Sequence, residues 1–432
     1  MGEAEKKEVI MALEQVFRCP RTLIRLRSAP LGKLLEDFCK SLLDRGFKGG
    51  ITRLHVGNVS HLNEHLRRSR GRMRQRVTAG EMEGFFAEYA TRCRHHGPLE
   101  GHLRCVRHSV NRFAEYLRQE GRFVAPAVAP AIYQPLLDAY LQWMRCYQHA
   151  APATLALRAG SLAQFLRWLG ADAVPRRWAR PDGEKVEQFV LSYASGKGRG
   201  ARGSMQSALR TFFRFAWREG YLRQPLDRAV PMLRTYQLAT APRGLSEQQA
   251  QDVLQGIARD TAGGRRDYAI LQLLATYGVR GGQVRTLRLE EIDWPQDQIL
   301  FKAAKHGKDI RAPLTWEAGE GLLDYLRNGR PACSCPQVFL TSRAPYRPLP
   351  HTSALSKIVR RRLQAAGIDL PGVAAHVFRH AFATRMLQKG HGLKAIADML
   401  GHRRLSSTFV YTKVDFNALQ QVALEWPQEV SS

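Results

Sequence analysis

Acidic residues are scarce in this 432-residue chain: 38 Asp and Glu stand against 66 Lys and Arg, a formal net charge of +28. A basic excess spread over a folded chain argues for a polyanionic partner, and nucleic acid is the usual one. Cysteine is sparse and odd in number, at seven, and Cys333 and Cys335 stand too close for an easy disulfide. That excludes a secreted disulfide scaffold and suits a reduced, cytoplasmic protein associated with the nucleoid. Long hydrophobic runs are missing. The longest, around Ala269–Val279, is interrupted by Gln272 and is too short to span a bilayer, so no membrane role is expected. The opening MGEAEKKEV lacks the apolar core of a secretory signal. Hydrophobic residues still make up 44%, enough for sizeable cores, which excludes a disordered polycation. At roughly one domain per ~150 residues, the length suggests three.

The first half repeats itself. Leu35-Glu36-Asp37-Phe38 returns as Leu137-Asp138-Ala139-Tyr140, FFAEYA (85–90) as FVLSYA (189–194), and FAEYLRQEGRF (113–123) as FRFAWREGYL (213–222). The offset stays near 100 residues and the order is kept, which suggests a duplicated helical domain. Amphipathic spacing predicts four helices per copy, in the first over Leu34–Leu43, Val56–Leu66, Met82–Cys93 and His102–Glu120. Pro126, Pro130 and Pro135 mark a linker between the copies, and residues 231–244 form a second loose stretch. The expected domains are therefore 1–125, 130–232 and 244–432. In the last, Ser246 and Gln249 predict a capping box opening a helix over Glu247–Ile257. A helix over Asp267–Tyr277 follows, then a hairpin from Gln298–Lys302 and Ile310–Leu314. Helices dominate again from Ser353.

Basic residues come in runs. Arg67, Arg70 and Arg72 belong to a crowded arginine stretch of the first copy. In the second copy, residues 191–230 hold eight Lys or Arg, among them Lys197, Arg199, Arg202 and Arg210, against only Glu219 and Asp227. Arg360 and Arg361 sit on a later predicted helix, followed by Arg362. One such run is usually a solvated face; three suit a surface that tracks phosphates. The glycine-rich, basic stretch Gly196–Gly203 lacks the spacing of a nucleotide-binding loop. Cys93, His95, His96, His102, Cys105 and His108 include metal-ligating types, but their spacing matches no standard zinc finger, and no metal is expected.

Four separated elements carry chemistry: TYGVRGGQVRTLRLEEIDW (276–294) with Arg280; KHGKDIRAPL (305–314) with Lys305, favoured over Lys308; HVFRH (376–380) with His376 and Arg379 three residues apart; and LGHRRLSSTFVYTKV (400–414) with His402 and, nine residues on, Tyr411. In this order and spacing they resemble the catalytic domain of the tyrosine recombinase (phage integrase) family. The likeness is strong over about 244–420 and weaker over 130–230, which resembles that family's helical core-binding domain. It implies a mainly α fold with a small β-hairpin in the C-terminal domain, preceded by a SAM-like core-binding domain that is duplicated here. It also implies a site-specific recombinase acting on double-stranded DNA through a 3′-phosphotyrosyl link on Tyr411, working as a homotetramer on two DNA sites, with accessory DNA-bending proteins as further partners. Two departures stand out: Gln283 where the family often has glutamate, and Val279 where it has leucine.

The residue types fit that chemistry on their own terms. A phosphodiester under attack gathers negative charge on its non-bridging oxygens, which Arg280 and Arg379 can clamp. His376 and His402 can donate to the same oxygens, and His376 can assist deprotonation of Tyr411. Lys305 can protonate the leaving 5′ oxygen. No carboxylate pair for a metal accompanies these segments, and the phosphotyrosyl bond conserves the energy of the broken ester, so no metal or cofactor is expected. Two rival readings are a type IB topoisomerase-like relaxing activity and a catalytically silent DNA-binding regulator. The complete six-residue set speaks against the second.

Overall fold

A computed structural model describes residues 11–28, 30–69, 74–93, 98–125, 130–173, 183–232, 244–303, 308–370 and 375–409. They fold into two units: Met1–Pro126 with Thr240–Ser432, and Ala127–Ala239.

The first unit begins with six helices: α1 (Ala12–Val16), α2 (Pro20–Arg27), α3 (Gly32–Asp44), α4 (Gly49–Ser69), α5 (Ala79–Arg92) and α6 (Leu99–Gln119). Two residue pairs, β1 (Val77–Thr78) and β2 (Phe123–Val124), join in parallel ahead of α5 and after α6. Their apolar faces close on one core around Leu35, Phe38, Leu62, Phe85 and Phe113. Thr78 caps α5, accepting from the Glu81 amide while the Glu81 carboxylate accepts from the Thr78 amide.

The second unit contains α7 (Gln134–Gln148), α8 (Pro152–Leu169), α9 (Gly183–Ala194) and α10 (Arg199–Arg218) around Tyr140, Phe165, Phe189 and Phe212. Its local design matches that of α3–α6. Phe38 of α3 meets Phe113 and Tyr116 of α6 at centroid distances of 5.1 and 5.5 Å. Tyr140 of α7 meets Phe212 and Phe215 of α10 at 5.4 Å each. Both final helices end on the same Glu-Gly turn. Gly121 and Gly220 take positive φ of 65° and 76°, and the next residues, Arg122 and Tyr221, return their amides to Leu117 and Ala216. The repeated sequence pattern thus has a repeated structural counterpart.

The remaining helices of the first unit surround a third core. They are α11 (Glu247–Gln255), α12 (Ala262–Tyr277), α13 (Gly281–Thr286), α14 (Trp316–Asn328), α15 (Thr352–Ala365), α16 (His376–Gln388) and α17 (Leu393–Met399). A three-stranded antiparallel sheet, β3 (Ile292–Asp293), β4 (Gln298–Phe301) and β5 (Ile310–Pro313), pairs Ile299 with both Ile292 and Ala312. The hairpin lies where the sequence indicates, and Ser246 and Gln249 form the expected capping box on α11. The chain is thus mainly helical with one small sheet in its C-terminal part, as expected. No helix among the described residues is long and apolar enough to cross a membrane.

Candidate active site

Helix α12 sets the first site residue. Its last turn is fixed by the buried apolar face Ile270, Leu273 and Leu274, and it stops at Gly278, whose φ of 58° opens the left-handed region. A Cβ there would lie 2.6 Å from the Phe382 ring of α16, so only glycine lets the two helices approach this closely. Two residues on, Arg280 caps α13. Its amide donates to Gln283 Oε1 at 3.1 Å, and the Gln283 amide nitrogen donates to the Phe301 carbonyl at 3.4 Å. Gln283 is buried and ties the arginine turn to β4. A carboxylate here could accept from Arg280 but could not donate to Phe301, so the departure from glutamate has a local structural use.

Arg379 lies on the buried face of α16 with 3% exposure. Its Nη1 donates to the Gly278 carbonyl at 2.9 Å and its Nη2 to the Leu400 carbonyl at 2.8 Å. Leu400 closes α17, and Gly401 turns the chain with φ of 63° beneath the Lys308 carbonyl and Ile310 side chain of the hairpin. His402 follows. Its amide donates to the Ala397 carbonyl at 2.8 Å, and its Nδ1 stands 2.8 Å from the hydroxyl of Thr408.

These turns bring Arg280, Arg379 and His402 together. Burial, then Arg379, then Arg280 push the His402 pKa down from 6.5 to about 4, so the ring is neutral near pH 7. His380 is likewise pushed down to about 4, by burial and then by His376 and Arg379. His376 opens α16 on its exposed side, one turn before Arg379. Nη1 of Arg280 is buried and has no hydrogen-bond partner among the described residues. A buried guanidinium N–H without a partner can donate to an anion's oxygen. Lys305 and Tyr411 lie outside the described residues. A cavity of about 800 Å³ lined by Arg259, Trp294, Trp316 and Asp324 contains none of these residues.

The basic residues divide. Lys197, Arg199 and Arg360 are exposed. Arg202 is half-buried and returns Nε to the Lys197 carbonyl at 2.7 Å, and exposed Arg67 pairs with Glu64 at 2.9 Å. Two more of these arginines have internal partners. Arg210 donates to the Val230 and Pro231 carbonyls at 3.0 and 3.4 Å, holding the end of the second unit's chain. Arg361 donates to Asp267 Oδ2 at 2.5 Å, joined there by Arg362 at 2.9 Å. Arg361 nevertheless keeps 61% of its side chain exposed. Arg70 and Arg72 lie outside the described residues. So do His95 and His96 of the cysteine–histidine group, while His102 Nε2 meets the Tyr89 hydroxyl at 2.9 Å.

Sequence reasoning missed Asp267, Thr408 and His380. The signal for Asp267 was a lone acid within an apolar helical stripe; Thr408 has none beyond its place between His402 and Tyr411.

The pattern described as the phage integrase family matches residues 243–418. A Sinorhizobium fredii protein named as an integrase/recombinase, y4rA, is 31% identical over 413 residues, covering 94% of this chain and 97% of its own. Tyrosine recombinase XerD of Ralstonia nicotianae is 29% identical over 299 residues, 61% of this chain and 94% of that protein. Among solved structures, XerH site-specific recombinase bound to palindromic difH substrate shares the fold with a TM-score of 0.54 at 18% identity, over 80% of this chain and 94% of that one. The chain belongs to the phage integrase family of tyrosine-type site-specific recombinases.

Proposed function

We propose that the pocket of Arg280, Arg379 and His402 holds the scissile phosphate of double-stranded DNA and that Tyr411 attacks it. The observation that carries this reading is the orphaned Nη1 of Arg280, buried next to Arg379 and a neutral His402. The phenol oxygen of Tyr411 forms a bond to phosphorus while the bond to the 5′ oxygen breaks, and Lys305 gives that oxygen its proton. His376 assists removal of the phenol proton. The two guanidinium groups and the His402 N–H offset charge that grows on the non-bridging oxygens, the electrostatic effect that dominates such reactions. A 5′ hydroxyl from the partner strand then reverses the step and rejoins the DNA. Exchange between two duplexes cuts four strands, and one Tyr411 per chain therefore calls for a homotetramer on two sites.

The domains in this reading are 1–125, 130–232 and 244–432, the first two being copies of one helical DNA-binding module. Arg67, Arg70, Arg72, Lys197, Arg199, Arg202, Arg210, Arg360 and Arg361 provide phosphate contacts, and DNA-bending proteins act as accessories. The test is to denature the purified protein with genomic DNA and sequence what stays covalently attached. The expected result is recurring sites linked through a 3′ phosphate, with no covalent product from Tyr411→Phe, which still binds DNA. Undiminished trapping by Tyr411→Phe would refute the assignment. Relaxation of a plasmid carrying no recovered site would favour the topoisomerase-like reading.

A further inference from the structure

We propose that Thr408 is a positioning residue that fixes the tautomer of His402: its hydroxyl donates to Nδ1, so the ring's single proton sits on Nε2, the nitrogen left to meet the phosphate. The inference rests on the phosphate-binding reading above and adds to it a residue and a direction for one hydrogen bond.

The argument is one of satisfaction. Thr408 has 0% exposure, and its Oγ1 stands 2.8 Å from His402 Nδ1. A hydroxyl has one proton to give and can also accept; a neutral imidazole has one donor and one acceptor nitrogen. Among the described residues, Nδ1 is the sole hydrogen-bond partner of that hydroxyl. If Nδ1 carried the ring proton, it would donate to Oγ1 and the buried O–H would have no acceptor there, which costs stability. With the proton on Nε2, the hydroxyl donates to the Nδ1 lone pair and neither group is orphaned. The burial and arginine charges that keep the ring neutral leave just these two arrangements to choose between.

The backbone holds both partners in place. The His402 amide is tied to Ala397, and the Thr408 amide donates to the Leu405 carbonyl at 2.7 Å across a single tight turn, Leu405–Ser407. The functional consequence follows from phosphate chemistry. A non-bridging oxygen only accepts, so Nε2–H attracts it and a bare Nε2 lone pair repels it. As charge builds on that oxygen during attack, the bond strengthens, which is the differential binding catalysis requires. Thr408 stands three residues before Tyr411, so the segment that leads to the nucleophile also sets the histidine.

The experiment uses the full-length protein, its recovered DNA site carrying a nick that prevents religation, and the variants Thr408→Val and Thr408→Ser. Imidazole 15N spectra near pH 7, with His402 assigned by difference against His402→Gln, read the tautomer directly. The wild type and Thr408→Ser are expected to show Nδ1 unprotonated and Nε2 protonated. Thr408→Val, nearly the same size but without the hydroxyl, is expected to mix the two forms. It should slow covalent complex formation roughly tenfold, with DNA affinity unchanged and Thr408→Ser restoring the rate, since full loss of one such donor lowers rates about 10²–10³-fold. A protonated Nδ1 in the wild type, or wild-type cleavage by Thr408→Val, would overturn the proposal. Should Thr408→Val fail to fold, the wild-type and Thr408→Ser spectra still decide it. Failure of the underlying reading would look different: no covalent DNA complex from the wild type, whatever its tautomer.

Discussion

Arg379 and Gly278 are joined by a 2.9 Å hydrogen bond from guanidinium to carbonyl, across 101 residues of sequence. The second bond of that guanidinium goes to Leu400. Each accepting carbonyl lies two residues before a member of the site: Gly278 before Arg280, and Leu400 before His402. One buried cation thus sets the spacing between the turns that present the other two groups, while its own charge faces the same place. The arrangement explains why this arginine is 3% exposed although its proposed ligand comes from solvent.

This double duty separates Arg379 from Arg280 by experiment. Lysine keeps the charge at position 379 but is a compact ammonium that cannot span both carbonyls in a fixed fork. Arg379→Lys should reduce covalent trapping of nicked DNA by about 100-fold or more and lower the melting temperature by several degrees, since charge-assisted hydrogen bonds of this kind contribute about 1.5–3 kcal/mol. Arg280→Lys should lose a comparable fraction of trapping with far less effect on melting, because its Nη1 has no partner among the described residues to lose. Equal thermal losses in the two variants would contradict the scaffolding role of Arg379.

Asp267 provides the second prediction. It is fully buried in α12 and accepts from three arginines: Arg266 at 2.8 Å on Oδ1, and Arg361 and Arg362 at 2.5 and 2.9 Å on Oδ2. Asp267 and Arg266 are buried while Arg361 is 61% exposed, so losing the carboxylate leaves chiefly Arg266 uncompensated and destabilises by at most about 3–5 kcal/mol. Asp267→Asn should therefore lower stability to denaturant by up to that amount and loosen α15 from α12. Hydrogen exchange over Thr352–Ala365 reads this directly. Unchanged protection there would mean that the arginines, not the carboxylate, hold the helix.

Much of the fold was legible because its helices bury apolar stripes. Leu34–Leu43 and Asp267–Tyr277 lie within α3 and α12, whose ends are set by residues outside the stripe. Val56–Leu66 fell short of α4, which starts at Gly49, because Gly49-Gly50 reads as a break until tertiary packing supplies the missing propensity. Strand β3, two residues long, has no periodicity to detect. At the candidate site, spacing singled out Arg280, Arg379 and His402, which the structure brings together. It did not reveal that Arg361 and Arg210 serve internal acceptors: an arginine on a polar helix face looks the same whether its partner is a buried aspartate, a carbonyl or a phosphate.

Acid should weaken the fold before it reaches the ordinary carboxylate range. His55, buried between α4 and α6 with Nδ1 3.0 Å from the Ser109 hydroxyl, is pushed down from 6.5 to about 4 by burial and then by Arg112 and His108. His380 and His402 are pushed down to about 4 as well. For each, the unfolded chain takes up a proton below about 6.5 that the folded chain refuses until about 4. The unfolded state therefore binds more protons in that window, and stability falls as pH falls through it. Melting temperatures measured from about pH 7.5 down to about 4.5 should decline, with hydrogen exchange in α4 and α6 quickening along the way. His55→Gln keeps a polar group near Ser109 but cannot titrate, so its decline should be shallower than that of the parent. Parallel curves for the two proteins would show that His55 binds its proton equally well in the folded and unfolded states and adds nothing to the decline.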